Sequence, residues 1–281
     1  MINLVLQGEN IATPDIKYLA KLTTASRVEA ITLRAFRLYD AQRHPEVAAY
    51  CQGAQLDYAF VPTTRTWADF GLLVMDMDST LISIECVDEI ADLMNIKPQV
   101  AAITASAMRG EIEFAESLTA RVALLKGLEE TALERVYQDR LLLNPGAEKL
   151  ISSLKSKGVK TLLVSGGFNF FTDKLKARLN LDFTASNTLE VIDGKLTGRI
   201  IGELVDAQAK AKYLNQIRQQ LGLSRDAVIA MGDGANDIPM MQAAGISVAY
   251  HAKPVVQESA TYAINYVGLD GLLNFFTDST H

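Results

Sequence analysis

Two carboxylates two residues apart, Asp76 and Asp78, directly follow the apolar run Leu72-Leu73-Val74-Met75. In an extended chain this spacing turns both side chains to the same side. Acids that close repel each other unless a cation lies between them or one keeps a proton, so Asp76-Met77-Asp78-Ser79-Thr80 has the makings of a metal or acid–base site. A second acidic turn follows another apolar run: Ala227 to Met231 leads into Gly232-Asp233-Gly234-Ala235-Asn236-Asp237. Two acids and an amide in a glycine-rich turn are oxygen donors of the kind magnesium takes, an ion that binds one or two carboxylates and keeps waters. Ser165-Gly166-Gly167, after the run Val159 to Val164, offers a hydroxyl and glycine amides beside a helix start, a cradle for an anion. Lys210 is the fourth candidate, a fixed positive charge; taken alone, a lysine in a helical pattern is more often a solvated residue.

Chemistry at the ends of apolar runs implies a frame, because open parallel sheets bind ligands outside the carboxyl ends of their strands. The runs Leu72 to Met75, Val159 to Val164, Ala227 to Met231 and Ile246 to Ala249 alternate with helical stretches, which predicts a parallel sheet covered on both faces. Between the first run and the second, about Val87 to Leu143 has helical periodicity and no strand pattern, the signature of an inserted helical cap. On a helix beginning near Glu111, Phe114, Leu118, Arg121 and Leu125 share one face, so Arg121 is either a snorkelling side chain or a guanidinium turned toward a closed site. Leu189 to Thr197 carries Asp193-Gly194 between alternating runs, a hairpin signal. Upstream, Leu4 to Leu6, Ile31 to Leu38 and Leu56 to Val61 alternate with helical patterns around Ile16 to Leu22 and Glu46 to Gln52, a β-α-β-α-β unit that ends at the linker-like Pro62-Thr63-Thr64-Arg65-Thr66. The expected fold class is α/β, a Rossmann-like parallel sheet with an inserted helical cap plus a small N-terminal α+β module. The expected division is residues 1–66 and 67–281, with the cap at about 87–143.

Composition narrows the functions available. The 281 residues carry 27 basic and 33 acidic side chains, a net charge of −6, and the pI is about 5.2. Without a Lys/Arg block the chain lacks the footprint of a nucleic-acid or anionic-membrane binder. Cys51 and Cys86 are too few for a disulfide framework, and His44, His251 and His281 are too scattered for a histidine metal site. The start has no basic region ahead of its few apolar residues, and no apolar run reaches the length of a membrane span, so a cytoplasmic protein is expected.

The four strand-end elements, in this order, resemble the haloacid-dehalogenase-like phosphohydrolases. Within that superfamily, Ile84-Glu85-Cys86-Val87-Asp88-Glu89-Ile90, Met108-Arg109-Gly110, Phe114 through Ser117-Leu118, Arg121-Val122, Ser165-Gly166-Gly167-Phe168, the Gly232 to Asp237 turn and Ala252-Lys253-Pro254 look like the phosphoserine phosphatase family. The resemblance spans about Leu72 to Phe276. The first seventy residues look like a diverged relative of the ACT-like regulatory modules attached to such enzymes.

Residues and resemblance agree on phosphoryl transfer through an aspartyl-phosphate, with Asp76 as nucleophile and Asp78 as general acid and then base. The resemblance implies Mg2+ on Asp76, Asp233 and the main-chain carbonyl of Asp78, with Asp237 in support. It implies phosphoryl oxygens on Ser165 and Gly166, with Lys210 and Asn236 also at the substrate. It further implies that Glu85 meets a substrate ammonium and Arg121 a substrate carboxylate, with Met108 and Phe114 closing the pocket around O-phosphoserine. A phosphotransferase passing the group to homoserine uses the same machinery, whereas a phospho-receiver needs neither cap nor Asp78, and a decayed serine sensor would not keep all four elements intact. Expected partners are thus the small substrate, an amino-acid effector at the N-terminal module and a second copy of the chain.

Overall fold

The computed structural model describes residues 1–109 and 111–278, Met108 by its backbone alone. The chain opens with β1 (Ile2–Gln7), α1 (Thr13–Leu22), β2 (Arg27–Thr32), β3 (Ala35–Tyr39), α2 (Glu46–Gly53) and β4 (Asp57–Pro62). The order is β-α-β-β-α-β, one strand more than the pattern suggested. The run Ile31 to Leu38 folds back at Leu33-Arg34, which brings Thr32 opposite Ala35. Neither turn residue has positive φ, so the turn lacks the Asn-Gly or Asp-Gly signal of a primed hairpin turn, and a register shift between Ala30 and Thr32 accommodates it. Leu33 is an apolar residue at the tip, 95% exposed, and misled the periodicity.

The four strands form an antiparallel sheet in the order β2-β3-β1-β4. Alternation along the strands gives it two apolar faces. Leu4, Leu6 and Phe60 pack with Ile16, Leu19, Val47 and Cys51 of its own helices, while Val5, Ala59 and Val61 belong to the main core with Trp67, Phe70 and Phe276.

A polar clasp reinforces that junction. Asp57, 2% exposed, accepts hydrogen bonds from the main-chain amides of Asn265 (2.6 Å), Tyr266 (3.1 Å) and Val267 (3.2 Å). Burial lifts its carboxyl to about 6, against the pull of those amides. Arg37 donates to the Asn274 carbonyl at 2.7 Å.

The second unit runs β5 (Leu72–Met75), α3 (Cys86–Leu93), α4 (Lys97–Met108), α5 (Phe114–Ala123), α6 (Thr131–Asp139), α7 (Ala147–Ser156), β6 (Lys160–Phe168), α8 (Asn169–Leu179), β7 (Phe183–Ile192), β8 (Lys195–Ile201), α9 (Ala207–Gln220), β9 (Val228–Gly232), α10 (Ile238–Ala243), β10 (Ile246–Tyr250), α11 (Pro254–Ser259) and β11 (Tyr262–Ile264). Its seven-stranded sheet has the order β11-β10-β9-β5-β6-β7-β8, parallel except for β8. The fold class is the expected one: a parallel α/β sheet, helices α3 to α6 inserted after its first strand, and a small N-terminal α+β module. β5 is wholly buried, both faces covered, which is why it reads as four consecutive apolar residues. Asp193 (φ 52°) and Gly194 (φ 74°) are both left-handed and turn β7 into β8, pairing Ile192 with Lys195. Helix α5 starts at Phe114 rather than near Glu111 and ends at Ala123, so Leu125 lies beyond it while Phe114, Leu118 and Arg121 keep one face. Among the described residues, no helix is long and apolar enough to cross a membrane.

Asp57→Ala leaves three amides of the 265–267 segment without their acceptor and is expected to cost about 2–3 kcal/mol. Urea unfolding of the full chain measures this; an unchanged midpoint would show that the clasp contributes nothing.

Candidate active site

Strands β9, β5 and β6 are neighbours, so the segments after Met231, Met75 and Val164 emerge side by side at one edge of the sheet. Asp76 (φ −71°, ψ 162°) and Asp78 (φ −64°, ψ 135°) are extended, and Ser79 (φ 57°) then reverses the chain. A left-handed serine is strained, and a strained residue persists only where its surroundings fix it. The Ser79 hydroxyl donates to Glu85 Oε1 at 2.7 Å. Asn144, where the chain returns from the cap, donates from Nδ2 to the carbonyls of Thr80 (2.8 Å) and Ile82 (3.2 Å).

At the floor, the Lys210 ammonium lies between Asp76 Oδ1 (2.7 Å) and Asp237 Oδ1 (2.8 Å). Exposures of 1%, 6% and 0% leave these charges almost no water. Asp206 caps α9, accepting from the Ala209 amide at 2.8 Å, and so fixes the first turn from which Lys210 projects. Burial alone would pull the lysine down, but the carboxylates of Asp76 and Asp237 outweigh it and hold the ammonium protonated. Asp237 is fully engaged, its Oδ2 accepting from the amides of Asp233 (3.2 Å) and Gly234 (3.1 Å). Gly232 makes this possible, since a Cβ there would stand 2.5 Å from the Asp237 carboxylate.

Asp76, Asp233 and Asp237 place one carboxylate oxygen each within 4.8 Å of one another. Burial and then Asp237 raise Asp233 to about 6, although Thr80 donates to its Oδ1 at 2.9 Å. One ammonium does not balance three carboxylates in so dry a place, and an all-oxygen donor set suits a hard divalent cation. Asp76 and Asp233 fit that task best: each has one oxygen in a hydrogen bond, Asp76 Oδ1 also accepting from the Met77 amide at 2.7 Å, and neither is tied down as Asp237 is.

Asp78 stands beside this cluster. It accepts from the Cys86 amide at 3.1 Å, and burial, then Glu85, lifts its carboxyl to about 7. That is near the value wanted of a group that must give and take a proton at neutral pH. Gly167 keeps the space beside it, because a Cβ there would be 2.9 Å from Asp78 Oδ2 and 3.0 Å from Ser165 Oγ. Ser165, 1% exposed, accepts from the Gly167 amide at 2.8 Å. Asn187 fixes the same loop from behind, donating to the Gly166 carbonyl and accepting from the Val205 amide, both at 2.8 Å.

The cap closes over this edge. A Cβ on Gly166 would lie 3.3 Å from Phe114 Cζ, so the α5 aromatic ring rests on the carboxyl end of β6. Arg121 is partly buried; burial lowers its affinity for the proton, while Asp88, Glu85 and Asp78 pull the other way. Its positive charge lies within electrostatic reach of these three acids, and its Nε donates to the Ser117 carbonyl at 3.4 Å. Glu85 is exposed and held by Ser79. Asn236 is also exposed, its side chain folded over Gly234. The Met108 side chain lies outside the described residues. Sequence reasoning gave no role to Asn144, Asn187, Thr80 or Asp88. Only Thr80, in line with Asp76 and Asp78, carried a local signal.

A profile of haloacid dehalogenase-like hydrolases matches residues 73–242. The chain belongs to this family. A second profile, of a domain of unknown function, matches residues 4–47. The phosphoserine phosphatase of Polaromonas sp. is 57% identical over 211 residues, 73% of this chain and 89% of the relative. The crystal structure of a probable phosphoserine phosphatase from Vibrio cholerae superposes with a TM-score of 0.87 at 38% identity, covering 98% of this chain and 85% of that one. A phosphoserine phosphatase with an analogue of the phospho-aspartyl intermediate superposes with a TM-score of 0.69 at 39% identity, over 74% of this chain and 99% of that one.

In this hydrolase fold Gly167→Ala pushes a methyl group against Asp78 and Ser165 together. Turnover is expected to fall about 100-fold with circular dichroism unchanged, the scale of loss from a misplacement of about 1 Å. Wild-type turnover in this variant would mean that neither side chain needs its observed position.

Proposed function

We propose that the chain hydrolyses O-phospho-L-serine to L-serine and phosphate, the last step of phosphorylated serine biosynthesis. The observation that carries the substrate assignment is the cap guanidinium of Arg121, partly buried and within electrostatic reach of Glu85, Asp88 and Asp78. A phosphomonoester with one carboxylate and one ammonium fits between Arg121 and Glu85, with its phosphoryl group on the floor. The phosphoserine phosphatases among its relatives support the same reading.

Asp76 is the nucleophile: its carboxylate oxygen bonds to phosphorus as the bond to the serine oxygen breaks, and Asp78 gives that oxygen its proton. The Asp78 carboxylate so formed then takes a proton from water, whose oxygen displaces Asp76 from phosphorus and regenerates the enzyme. Ser165 and the Gly166 amide hold phosphoryl oxygens, and Lys210 keeps fixed positive charge beside the nucleophile, where charge gathers in the transition state. Asp76, Asp233 and the Asp78 carbonyl would hold magnesium, whose charge would offset carboxylate–phosphate repulsion. Phe114 and Met108 close the pocket, and Asp237 supports it by fixing Lys210 and the turn after β9. Residues 67–281 form the phosphatase domain, with the cap at about 87–143, and residues 1–66 a separate module.

Arg121→Ala tests the substrate apart from the reaction. The lost ion pair, roughly 2–5 kcal/mol, should lower kcat/KM for phosphoserine about 30-fold or more. Phosphoethanolamine, which has no carboxylate, should be hydrolysed as by the parent enzyme. An equal loss for both would show that Arg121 does not read the carboxylate.

A further inference from the structure

A cleft of about 370 Å³ opens between the first sheet and the second unit, lined by Gln7, Arg34, Lys149, Asp270 and Gly271 among others. Gln7 ends β1 and is 1% exposed. Its Oε1 accepts from Asn274 Nδ2 at 2.7 Å. Its Nε2 is, among the described residues, the one buried side-chain nitrogen or oxygen without a hydrogen-bond partner. A buried donor left unpaired is costly and calls for an acceptor. Gly271 packs against it: a Cβ there would stand 2.8 Å from Nε2 and 2.5 Å from Val267 Cγ2.

Two cations stand at the rim. Arg34 pairs with Glu9 at 2.5 Å and Lys149 with Asp270 at 2.9 Å, and the cationic side chains are 63% and 65% exposed. Exposed pairs of this kind are weakly held, so either cation can turn to a new anion at little cost. A phosphate dianion would set its full charge against Glu9 and Asp270, whereas a carboxylate brings one charge and two acceptor oxygens.

We propose that this cleft binds a small organic carboxylate, one oxygen accepting from Gln7 Nε2 and the anion facing Arg34 and Lys149. The volume suits a small molecule. The proposal does not rest on the phosphoserine reading, for no residue of the cleft belongs to the catalytic floor. The cleft is nevertheless linked to it: beside Asp270, the Leu269 amide donates to the Pro145 carbonyl at 2.8 Å, and adjacent Asn144 holds the Thr80 carbonyl.

The single tryptophan reports on this place. Trp67 Nε1 donates to the Leu273 carbonyl at 3.4 Å, one residue before the Asn274 that holds Gln7. The full chain is titrated with glycine, acetate and ethanolamine while Trp67 emission is followed. A saturable change with glycine or acetate, and none with ethanolamine, is expected. Tighter binding of glycine than acetate identifies an amino acid as the source of the carboxylate, and equal binding a simple acid. Gln7→Glu, which sets a carboxylate where the free donor stood, should weaken binding at least tenfold. Lys149→Gln and Arg34→Gln, at exposed sites that do not threaten folding, should each weaken it several-fold, and Arg121→Ala should leave it unchanged. No saturable response, an equal response to ethanolamine, affinity unaltered by all three cleft substitutions, or loss of the response in Arg121→Ala would overturn the proposal.

Discussion

Two buried carboxylates, Asp76 and Asp237, gathered around one buried ammonium, with the half-buried Asp233 beside them, are the constraint on which the rest of the molecule depends. Removing Asp76, Asp237 and Lys210 from water costs several kcal/mol per charge, and only close geometry and further hydrogen bonds offset it. The chain supplies them from three places: the loop after β5, the first turn of α9 and the turn after β9. Those segments meet because β5 and β9 pair side by side as wholly buried, apolar strands. A mispaired sheet would strand charge in the core, so the cluster and the sheet order specify each other. The excess of carboxylate over ammonium that remains suits the site to a divalent cation.

The cap and the N-terminal module attach to this floor by different means. The cap leaves the sheet after the Asp78 loop and returns at Asn144, whose amide holds the same loop. Both cap hinges therefore bear on the catalytic segment, and Phe114 and Arg121 reach over it from α5. The module attaches mainly by apolar burial, through Val5, Ala59 and Val61, with the Asp57 clasp as its polar lock. One arrangement covers the carboxylate cluster, whereas the other builds a cleft away from it.

What could be read from the sequence was local. Apolar runs ending in acids marked β5 and β9 and the residues after them, and Asp193-Gly194 marked its hairpin by turn chemistry alone. The hairpin at Leu33-Arg34 was missed because its turn uses ordinary backbone conformations and an apolar tip, so nothing in the composition punctuates it. Lys210 looked like a solvated helix residue; only the tertiary approach of α9 to the loop after β5 turns it into the buried cation. Asn144 and Asn187 were invisible for the same reason, since each bonds main-chain atoms more than twenty positions away in the chain. Arg121 was ambiguous between snorkelling and facing inward, and its partial burial near Glu85 and Asp88 favours the second.

The proposed chemistry turns on Asp76 as the nucleophile at phosphorus. The most direct measurement is a single turnover with phosphoserine radiolabelled in its phosphoryl group, quenched in acid within milliseconds and followed by peptide mapping. The predicted result is transient label on the peptide carrying Asp76, discharged by hydroxylamine as an acyl phosphate must be, and no label in Asp76→Asn. Product formed at full rate with no label on the protein at any time, or label on a different side chain, would contradict it.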